Sequence, residues 1–216
     1  MPHVPPKPAP DPTVVEVIVH TVPLIADFAV PFVMHVAGNH PRISWRYRAG
    51  FGIADLSATP GAVHIALRAG ARPPDLPGLQ VQALGRLAFG LYATPEYIRE
   101  HGMLDGTNAA RHVLVTHDFH RDHAVFDHWA TDNLRGISVG LRTNDETAHR
   151  FAIRSGRCAG FLPLSAPLYM PSLTEITPPH PNWRVAFWLV APPPGCAPVA
   201  DPAIGQLATL LERSLE

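Results

Sequence analysis

The stretch that decides the fold is RLAFGLYATPEYIREHG, residues 86–102, where a strand pattern passes directly into a helix pattern. Residues 87–93 are apolar or glycine, which predicts a buried strand. Thr94 is a good helix N-cap, Pro95 suits the first helical position, and Gly102 is a typical residue at a helix stop. The sequence therefore predicts a strand that is followed at once by a short capped helix.

Upstream of this stretch, strand and helix patterns alternate. The predicted strands are residues 14–20, 43–48 and 62–67. Between the first two strands, apolar residues recur at helical spacing from Ile25 to Val36, although Pro31 should kink this helix. A second, short helix is predicted over residues 53–58. This β-α-β-α-β order predicts a parallel α/β sheet.

Downstream, more strands and two clear helices are predicted. The strands are residues 79–84, 87–93, 113–117, 136–141, 158–163, 174–177 and 185–190. Asn144 is the predicted N-cap of the first helix, which Gly156 ends. The predicted buried side of that helix comprises Ala148, Phe151 and Ala152. The last helix begins at Asp201 and carries an apolar stripe over residues 204–215.

Composition limits the class of protein. The chain has 216 residues, 46% of them hydrophobic and 16% charged, which is enough apolar material for a core. A net charge of -1 gives no electrostatic reason for nucleic-acid binding by these residues. The two cysteines do not form a disulfide framework, and Cys158 lies in an apolar run that predicts a buried thiol.

The start of the chain carries no targeting signal. Residues 1–13 are Pro-rich and predict a linker or tail, because they lack the basic start and apolar stretch of a signal peptide. No apolar run approaches the ~20 residues that span a bilayer. We therefore expect a cytoplasmic protein without a membrane partner.

Residues 86–93 could be a connector that leaves one α/β lobe and enters another, with residues 185–190 as the returning connector. Two lobes joined by two crossing strands leave a cleft, and α/β proteins bind small ligands beside the carboxyl ends of their strands. The alternative is a single continuous α/β domain in which the join is an ordinary βα loop. The pattern alone does not decide between these two arrangements.

Four blocks carry a resemblance to a known family. They are GAVHIALRAG (61–70), PDLPGLQVQALGRLAFGLYATPEYIREHG (74–102), SGRCAGFLP (155–163) and WLV (188–190). In this order and spacing they resemble the effector-binding domain of LysR-type transcriptional regulators, over nearly the whole chain from Val14. The resemblance implies an α/β fold of two Rossmann-like lobes joined by two crossing strands, like the type 2 periplasmic binding proteins.

The resemblance also implies a domain plan. One lobe would comprise residues 14–88 and 188–216, and the other lobe residues 89–187. The family carries an N-terminal helix-turn-helix and a long linker helix, which this sequence does not show, so DNA would be reached only through a missing domain. Side-by-side pairing in the family implies a homodimer or a higher homo-oligomer.

Family ligands bind where the first strand meets its helix, which here is Thr21 and Val22. The Thr21 hydroxyl and the Val22 N–H suit a carboxylate, although Thr21 could simply cap its own helix. The second family contact falls near Phe51, where some members offer a hydroxyl. This departure implies a more apolar effector or a pocket partly filled by the ring, unless Phe51 is plain core.

Further candidates follow other strands. Arg68 could form a forked contact with a carboxylate, or it could be a surface arginine. Thr143 and Asn144 could close over the ligand, or they could cap the next helix. His117, at the end of its strand, could face the cleft and make binding depend on pH, or it could lie in a solvated loop.

The His-rich residues 116–129 contain side chains that ligate zinc or nickel. Their histidine spacing of three, three and five matches no helical or hairpin motif, so we predict no metal site. The sequence has no G-x-S-x-G elbow, P-loop, H-E-x-x-H or dinucleotide fingerprint, and we therefore predict no catalytic residues and no cofactor. The function that the resemblance implies is sensing of a small effector, such as a carboxylate or an aromatic acid. A free-standing solute-binding protein of the same fold and an α/β enzyme remain the alternatives.

Overall fold

The computed structural model describes residues 14–50, 61–118 and 125–215. Its strands are β1 (Val15–Thr21), β2 (Ile43–Ala49), β3 (Val63–Ala69), β4 (Gln80–Ala93), β5 (Val113–His117), β6 (Ser138–Thr143), β7 (Ala159–Pro163), β8 (Thr174–Glu175) and β9 (Arg184–Ala191). Its α-helices are α1 (Ala26–Asn39), α2 (Pro95–His101), α3 (Val125–Asn133), α4 (Glu146–Arg154) and α5 (Asp201–Leu215). The predicted tail 1–13 and the predicted helix 53–58 lie outside the described residues.

Hydrogen bonds join the described strands in the order β2-β1-β3-β9-β4-β7-β5-β6, with β8 also paired to β4. The strands β2, β1 and β3 are parallel, and so are β7, β5 and β6. Between these two parallel groups stand β9 and β4, which run antiparallel to each other. The architecture is therefore two Rossmann-like lobes joined by two crossing strands, and the expected periplasmic-binding-protein-like fold is confirmed.

The strand β4 belongs to both lobes. It pairs with β9 as far as Ala88, and it pairs with β7 from Phe89 onward. The strand β9 runs beside it and also pairs with β3. The division of the chain into residues 14–88 plus 188–216 and residues 89–187 stays a prediction.

The two strands predicted at residues 79–84 and 87–93 are one strand of 14 residues, so that prediction was wrong. The pairing with β9 shifts register between Ala83 and Gly85, and Gly85 has a φ of 141°. A residue with a side chain rarely adopts that backbone conformation, whereas glycine does so readily. Gly85 therefore permits a bulge within a continuous strand, where the sequence pattern suggested a break.

The predicted helix after β4 is confirmed. The Tyr97 N–H donates to the Thr94 hydroxyl at 3.3 Å, Pro95 occupies the first turn, and Gly102 has a φ of 86°. The Tyr97 hydroxyl accepts a hydrogen bond of 2.9 Å from the Val113 N–H, at the start of β5. The strand-to-helix join thus carries the chain into the second lobe and anchors α2 against its central strand.

The helix α4 differs from its prediction in two ways. Asp145, and not Asn144, is the N-cap, and its Oδ1 accepts from the Ala148 N–H at 2.8 Å. The predicted buried side was also wrong, because Phe151 is 62% exposed. The buried residues of α4 are Glu146, His149 and Ile153. These residues share one helical face, but two of the three are ionisable, so hydrophobicity did not reveal that face.

The helix α3, Val125–Asn133, overlaps the His-rich residues 116–129, over which the sequence predicted no helix. Phe126 and Ala130, one helical turn apart, are fully buried, and Asp127 is buried between them. The Phe126 ring stacks on Phe89 of β4 with centroids 4.2 Å apart. The helix therefore forms because its apolar face packs on the crossing strand, a contact that the local polar composition conceals.

The apolar core extends across both lobes. Phe28 of α1 meets Phe187 of β9 edge to face, and Phe161 of β7 meets Trp183 in the same way. Cys158 is buried, as predicted, and burial raises the pKa of its thiol to about 11. In the described part of the chain, no helix is both long enough and apolar enough to cross a bilayer.

Replacing Gly85 by alanine should destabilise the chain. The new residue would be held at a positive φ, and its Cβ would lie 3.0 Å from the Leu215 Cβ of α5. We expect Gly85→Ala to lower the free energy of unfolding by about 1–3 kcal/mol, as measured by urea denaturation. The control is Gly38→Ala in α1, where the added Cβ meets nothing within 4 Å and should stabilise the helix slightly. Equal effects of the two changes would contradict the bulge.

The cap of α4 gives a second prediction. Asp145→Ala removes the side chain that satisfies the Ala148 N–H, so we expect a loss of about 0.5–2 kcal/mol in the free energy of unfolding. The matched control is the exposed neighbour Asn144, whose change to alanine should alter stability by less than about 0.5 kcal/mol. If thermal or urea unfolding showed a larger effect at Asn144 than at Asp145, Asn144 would be the N-cap, as the sequence predicted, and the assignment to Asp145 would be wrong.

Candidate functional site

The predicted site residues of the first lobe gather around Gly50, which follows β2. The Gly50 N–H donates to the carbonyl of Thr21 at 2.8 Å, and Arg68 of β3 donates from Nη1 to the Gly50 carbonyl at 3.1 Å. Val22 follows Thr21 directly. The carboxyl ends of β1, β2 and β3 therefore bring Thr21, Val22 and Arg68 to one edge, whereas Phe51 lies outside the described residues.

The local roles suggested for Thr21 and Arg68 are corrected. The Thr21 hydroxyl donates to the Val22 carbonyl at 3.2 Å, and no side chain caps the 3₁₀ turn Pro23–Ile25 that precedes α1. Arg68 is only 5% exposed, so it is not a surface arginine, and burial lowers its pKa. Both side chains are part of the buried edge of the first lobe.

The predicted residues of the second lobe lie on the adjacent strands β5 and β6. His117 and Thr143 are register partners, and the Asp118 N–H donates to the Thr143 carbonyl at 2.8 Å. The Thr143 hydroxyl accepts from the Asp145 N–H at 3.0 Å, so it stabilises the turn into α4. The side chain of Asn144 is exposed, and no hydrogen bond places it beside His117. His117 is buried, so the solvated-loop alternative was wrong.

An ion pair joins the two lobes at these edges. Arg150 of α4 lies with its Nη1 3.0 Å from Asp27 Oδ1, in the first turn of α1. Burial raises the pKa of Asp27, Arg150 lowers it, and the charge of Glu146 raises it. Since α1 follows β1 and α4 follows β6, this contact brings the carboxyl edges of the two parallel groups together. Neither charged residue stood out from the sequence pattern.

A cavity opens beside this ion pair, with a volume of ≈ 270 Å³. Asp27 and Arg150 form one side of it, and Phe151, Arg154 and Tyr169 are among its other walls. The Arg154 guanidinium lies 5.9 Å from the centroid of the Phe151 ring. A cation beside partly exposed aromatic rings suits an organic anion. Of the predicted site residues that the structure describes, none lines this cavity.

Four buried ionisable side chains form a second cluster, which we name the histidine cluster: His117, Asp127, Glu146 and His149. His117 donates from Nδ1 to Asp127 Oδ2 at 2.7 Å, and the His117 backbone N–H donates to the same oxygen at 3.0 Å. His117 Nε2 lies 3.0 Å from Glu146 Oε1. The ring of His149 stacks on the ring of His117, with centroids 4.0 Å apart and planes at 23°.

The two histidines of the cluster have opposite pKa shifts. Burial lowers the pKa of His117, but its contacts with Asp127 and Glu146 outweigh burial and raise the pKa to about 9. Burial holds the pKa of His149 well below its ordinary value, and the nearby charge of His117 acts in the same direction. At neutral pH, the metal-free cluster therefore carries a protonated His117 and a neutral His149.

The cluster also contains a set of possible metal ligands. One ligand atom from each of His117, Glu146 and His149 lies within 4.8 Å of the others. The spacing along residues 116–129 predicted no metal site, and of the residues considered there only His117 belongs to this set. His120, Asp122 and His123 lie outside the described residues. The signal that could have found the other two ligands is Glu-x-x-His at residues 146–149, a spacing that puts both side chains on one helical face.

Comparison with known proteins identifies the family. The sequence profile of the LysR substrate binding domain matches residues 17–211. Comparison with curated protein sequences gave no match.

Solved structures share the fold at low sequence identity. The effector domain of the transcriptional regulator AmpR of Pseudomonas aeruginosa superposes with a TM-score of 0.68 at 17% identity, covering 93% of this chain and 97% of that one. The regulatory domain of CrgA, a LysR-type transcriptional regulator from Neisseria meningitidis, gives 0.67 at 18% identity, covering 94% and 100%. The reduced regulatory domain of OxyR2 from Vibrio vulnificus gives 0.63 at 15% identity, covering 96% and 99%. With the profile match over most of its length, the chain belongs to the LysR substrate binding domain family.

Proposed function

We propose that the chain senses a small organic anion between its two lobes, as the effector-binding domain of a LysR-type transcriptional regulator. The observation that carries this proposal is the ion pair between Asp27 and Arg150, which joins the two lobes at the carboxyl ends of their parallel strands. Ligands of open α/β sheets bind at such edges. A ligand placed there contacts both lobes and so favours one lobe arrangement over another.

The chemistry of the adjacent cavity supports an anionic effector that carries an aromatic ring. Arg150 and Arg154 offer guanidinium groups that bind a carboxylate through two parallel hydrogen bonds. Phe151 and Tyr169 are 62% and 44% exposed, and their rings offer apolar contact area to a flat ligand. An aromatic acid satisfies both requirements within a cavity of ≈ 270 Å³.

The carboxyl ends of strands in the two lobes are the proposed inner wall of the site. The contact residues proposed from the sequence are Thr21, Val22, Phe51, Arg68, His117, Thr143 and Asn144, of which Phe51 lies outside the described residues. Thr21 and Arg68 are buried in this structure, so the proposed effector reaches them only when the lobes separate. An effector carboxylate would then compete with the Asp27 carboxylate for Arg150.

This exchange of the Asp27 carboxylate for the effector carboxylate at Arg150 would supply the free energy that changes the lobe arrangement. The effector shifts the lobe equilibrium by no more than the difference between its affinities for the two arrangements, typically ~1–3 kcal/mol. In a regulator that bias acts through a homodimer or higher homo-oligomer on a DNA-binding domain outside residues 14–215. The proposal therefore includes a cytoplasmic location and a sensing role without catalysis. The family match favours this role over that of a free-standing solute-binding protein.

A thermal-shift screen against aromatic acids, aliphatic carboxylates and amino acids tests the proposal. A ligand at 100 times its dissociation constant should add about 2.7 kcal/mol to the stability of the chain. We expect an aromatic acid to give the largest shift, since it contacts both the arginines and the aromatic rings. A larger and reproducible response to an uncharged compound would contradict the anionic effector.

Two variants locate the binding site of the hit. Arg154→Gln should weaken binding by about 10-fold or more, because it removes a charged hydrogen-bond donor. The control Arg157→Gln alters an exposed arginine just beyond α4 and should leave affinity unchanged. Thr21→Ala should weaken binding if the ligand reaches the inner wall. A ligand whose affinity is unaltered by both Arg154→Gln and Thr21→Ala binds elsewhere and refutes the proposed site.

A further inference from the structure

The histidine cluster has the donors of a metal site on two rigid elements. His117 is the last residue of β5, a strand in the middle of the parallel group of the second lobe. Glu146 and His149 lie one turn apart on α4, and both face that strand. Such elements keep the three side chains within reach of a single ion, so that binding requires only rotation of the rings.

Several donor atoms in this cluster are left unsatisfied by the described residues. His149 is fully buried, and its ring lies beside the Val115 backbone, although neither ring nitrogen makes a hydrogen bond of good geometry within the described part of the chain. Glu146 Oε2 likewise has no hydrogen-bond partner among the described residues, whereas Glu146 Oε1 lies 3.0 Å from His117 Nε2. Buried polar atoms nearly always have a hydrogen-bond partner. Neighbouring nitrogen and oxygen atoms without a good one, as in His149 and Glu146, therefore indicate a missing ligand.

The charge of the cluster indicates a cation. Asp127 and Glu146 bring two carboxylates into a buried volume, and His117, which contacts both, supplies at most one positive charge. The cation on the same helix, Arg150, is directed to Asp27 at 3.0 Å. A divalent cation would compensate both carboxylates, and it would do so with both imidazoles neutral.

Asp127 already occupies the position of an outer-shell residue. By accepting from His117 Nδ1 at 2.7 Å, it fixes the tautomer and directs Nε2 toward Glu146 and His149. The carboxylate–histidine–metal arrangement is the usual support of a metal-binding histidine. The separation of His117 Nε2 and Glu146 Oε1, 3.0 Å, is close to the ~3.3 Å between two ligands of a tetrahedral zinc ion.

We propose that His117, Glu146 and His149 bind one divalent transition-metal cation, and that Asp127 orients His117 from the outer shell. Two imidazoles and one carboxylate suit Zn²⁺, Co²⁺ or Ni²⁺, and they leave a fourth position for water or a ligand. The stacked rings turn apart on binding, because their nitrogen lone pairs must both point at the ion. His117 is also a proposed effector contact, but ion binding is measured without an effector, so the failure of one proposal can be distinguished from the failure of the other.

Calorimetric titration of the chelator-stripped chain with Zn²⁺ alone tests the site. We expect one ion per chain, and we expect Asp127→Asn to lower the affinity about 10- to 100-fold. His149→Gln and Glu146→Gln each remove a ligand and should lower it more than Asp127→Asn does. The control is His35→Gln, which changes an exposed histidine of α1 and should leave the affinity as in the wild type.

The absorption spectrum of bound Co²⁺ provides a second measurement. Visible bands of a four-coordinate ion should appear with the wild-type chain and disappear with His149→Gln, and circular dichroism shows whether each variant is folded. If His149→Gln does not fold, the Co²⁺ spectrum of Glu146→Gln, which keeps the shape of the side chain, tests the site instead. The chain has 13 histidines, so adventitious binding must be separated from this site. Unchanged affinity in Glu146→Gln and His149→Gln, or no binding by the folded wild type, overturns the proposal.

Discussion

The structure depends on one backbone constraint, which is that a single strand supplies hydrogen bonds to both lobes. β4 pairs with β9 up to Ala88 and with β7 from Phe89, so the peptide link between these two residues ties one sheet to the other. Its ladder cannot slip by one residue without exposing buried side chains such as Phe89 and Leu91. The returning strand β9 fixes the same register from the other side. Together they attach the two parallel groups to one pair of crossing strands.

Sequence signals were sufficient for elements whose structure is determined by their own residues. The helix α2 could be predicted to within a residue, because Thr94, Pro95 and Gly102 each act on their own immediate backbone. The first three strands were found in the same way from alternation and β-branched residues. The bulge at Gly85 was missed because glycine in a strand pattern indicates either a break or a bulge, and only the partner strand distinguishes them.

The candidate site was harder to predict, since its residues depend on contacts between distant segments. Glu146 and His149 are the kind of side chains that normally face water, and they are buried against β5, where His117 contacts both of them. In the sequence, Arg150 resembles any other charged residue of an amphipathic helix. Only the structure shows that it pairs with Asp27 of the other lobe. The sequence placed Thr21, Arg68 and His117 near the carboxyl ends of their strands, and the tertiary structure decided which polar groups meet there.

The ion pair and the histidine cluster are electrostatically connected. Glu146 belongs to the cluster, and its charge raises the pKa of Asp27 in the other lobe. Neutralising Glu146 with a cation would therefore strengthen the hold of Asp27 on Arg150. An effector and an ion would therefore both act on the contact between the two lobes at Asp27 and Arg150. The coupling between them would be the Coulomb interaction of nearby charges.

The most direct test of this account measures a distance between the lobes. Spin labels at the exposed positions Asn39 and Leu168, in a Cys196→Ser background, report on the lobe arrangement through double electron–electron resonance. We predict a narrow distribution in the parent chain and a broader, longer one after Asp27→Asn. The control Glu16→Gln breaks an ion pair within the first lobe and should change nothing. Identical distributions in the parent and Asp27→Asn chains would contradict the claim that this ion pair holds the two lobes together.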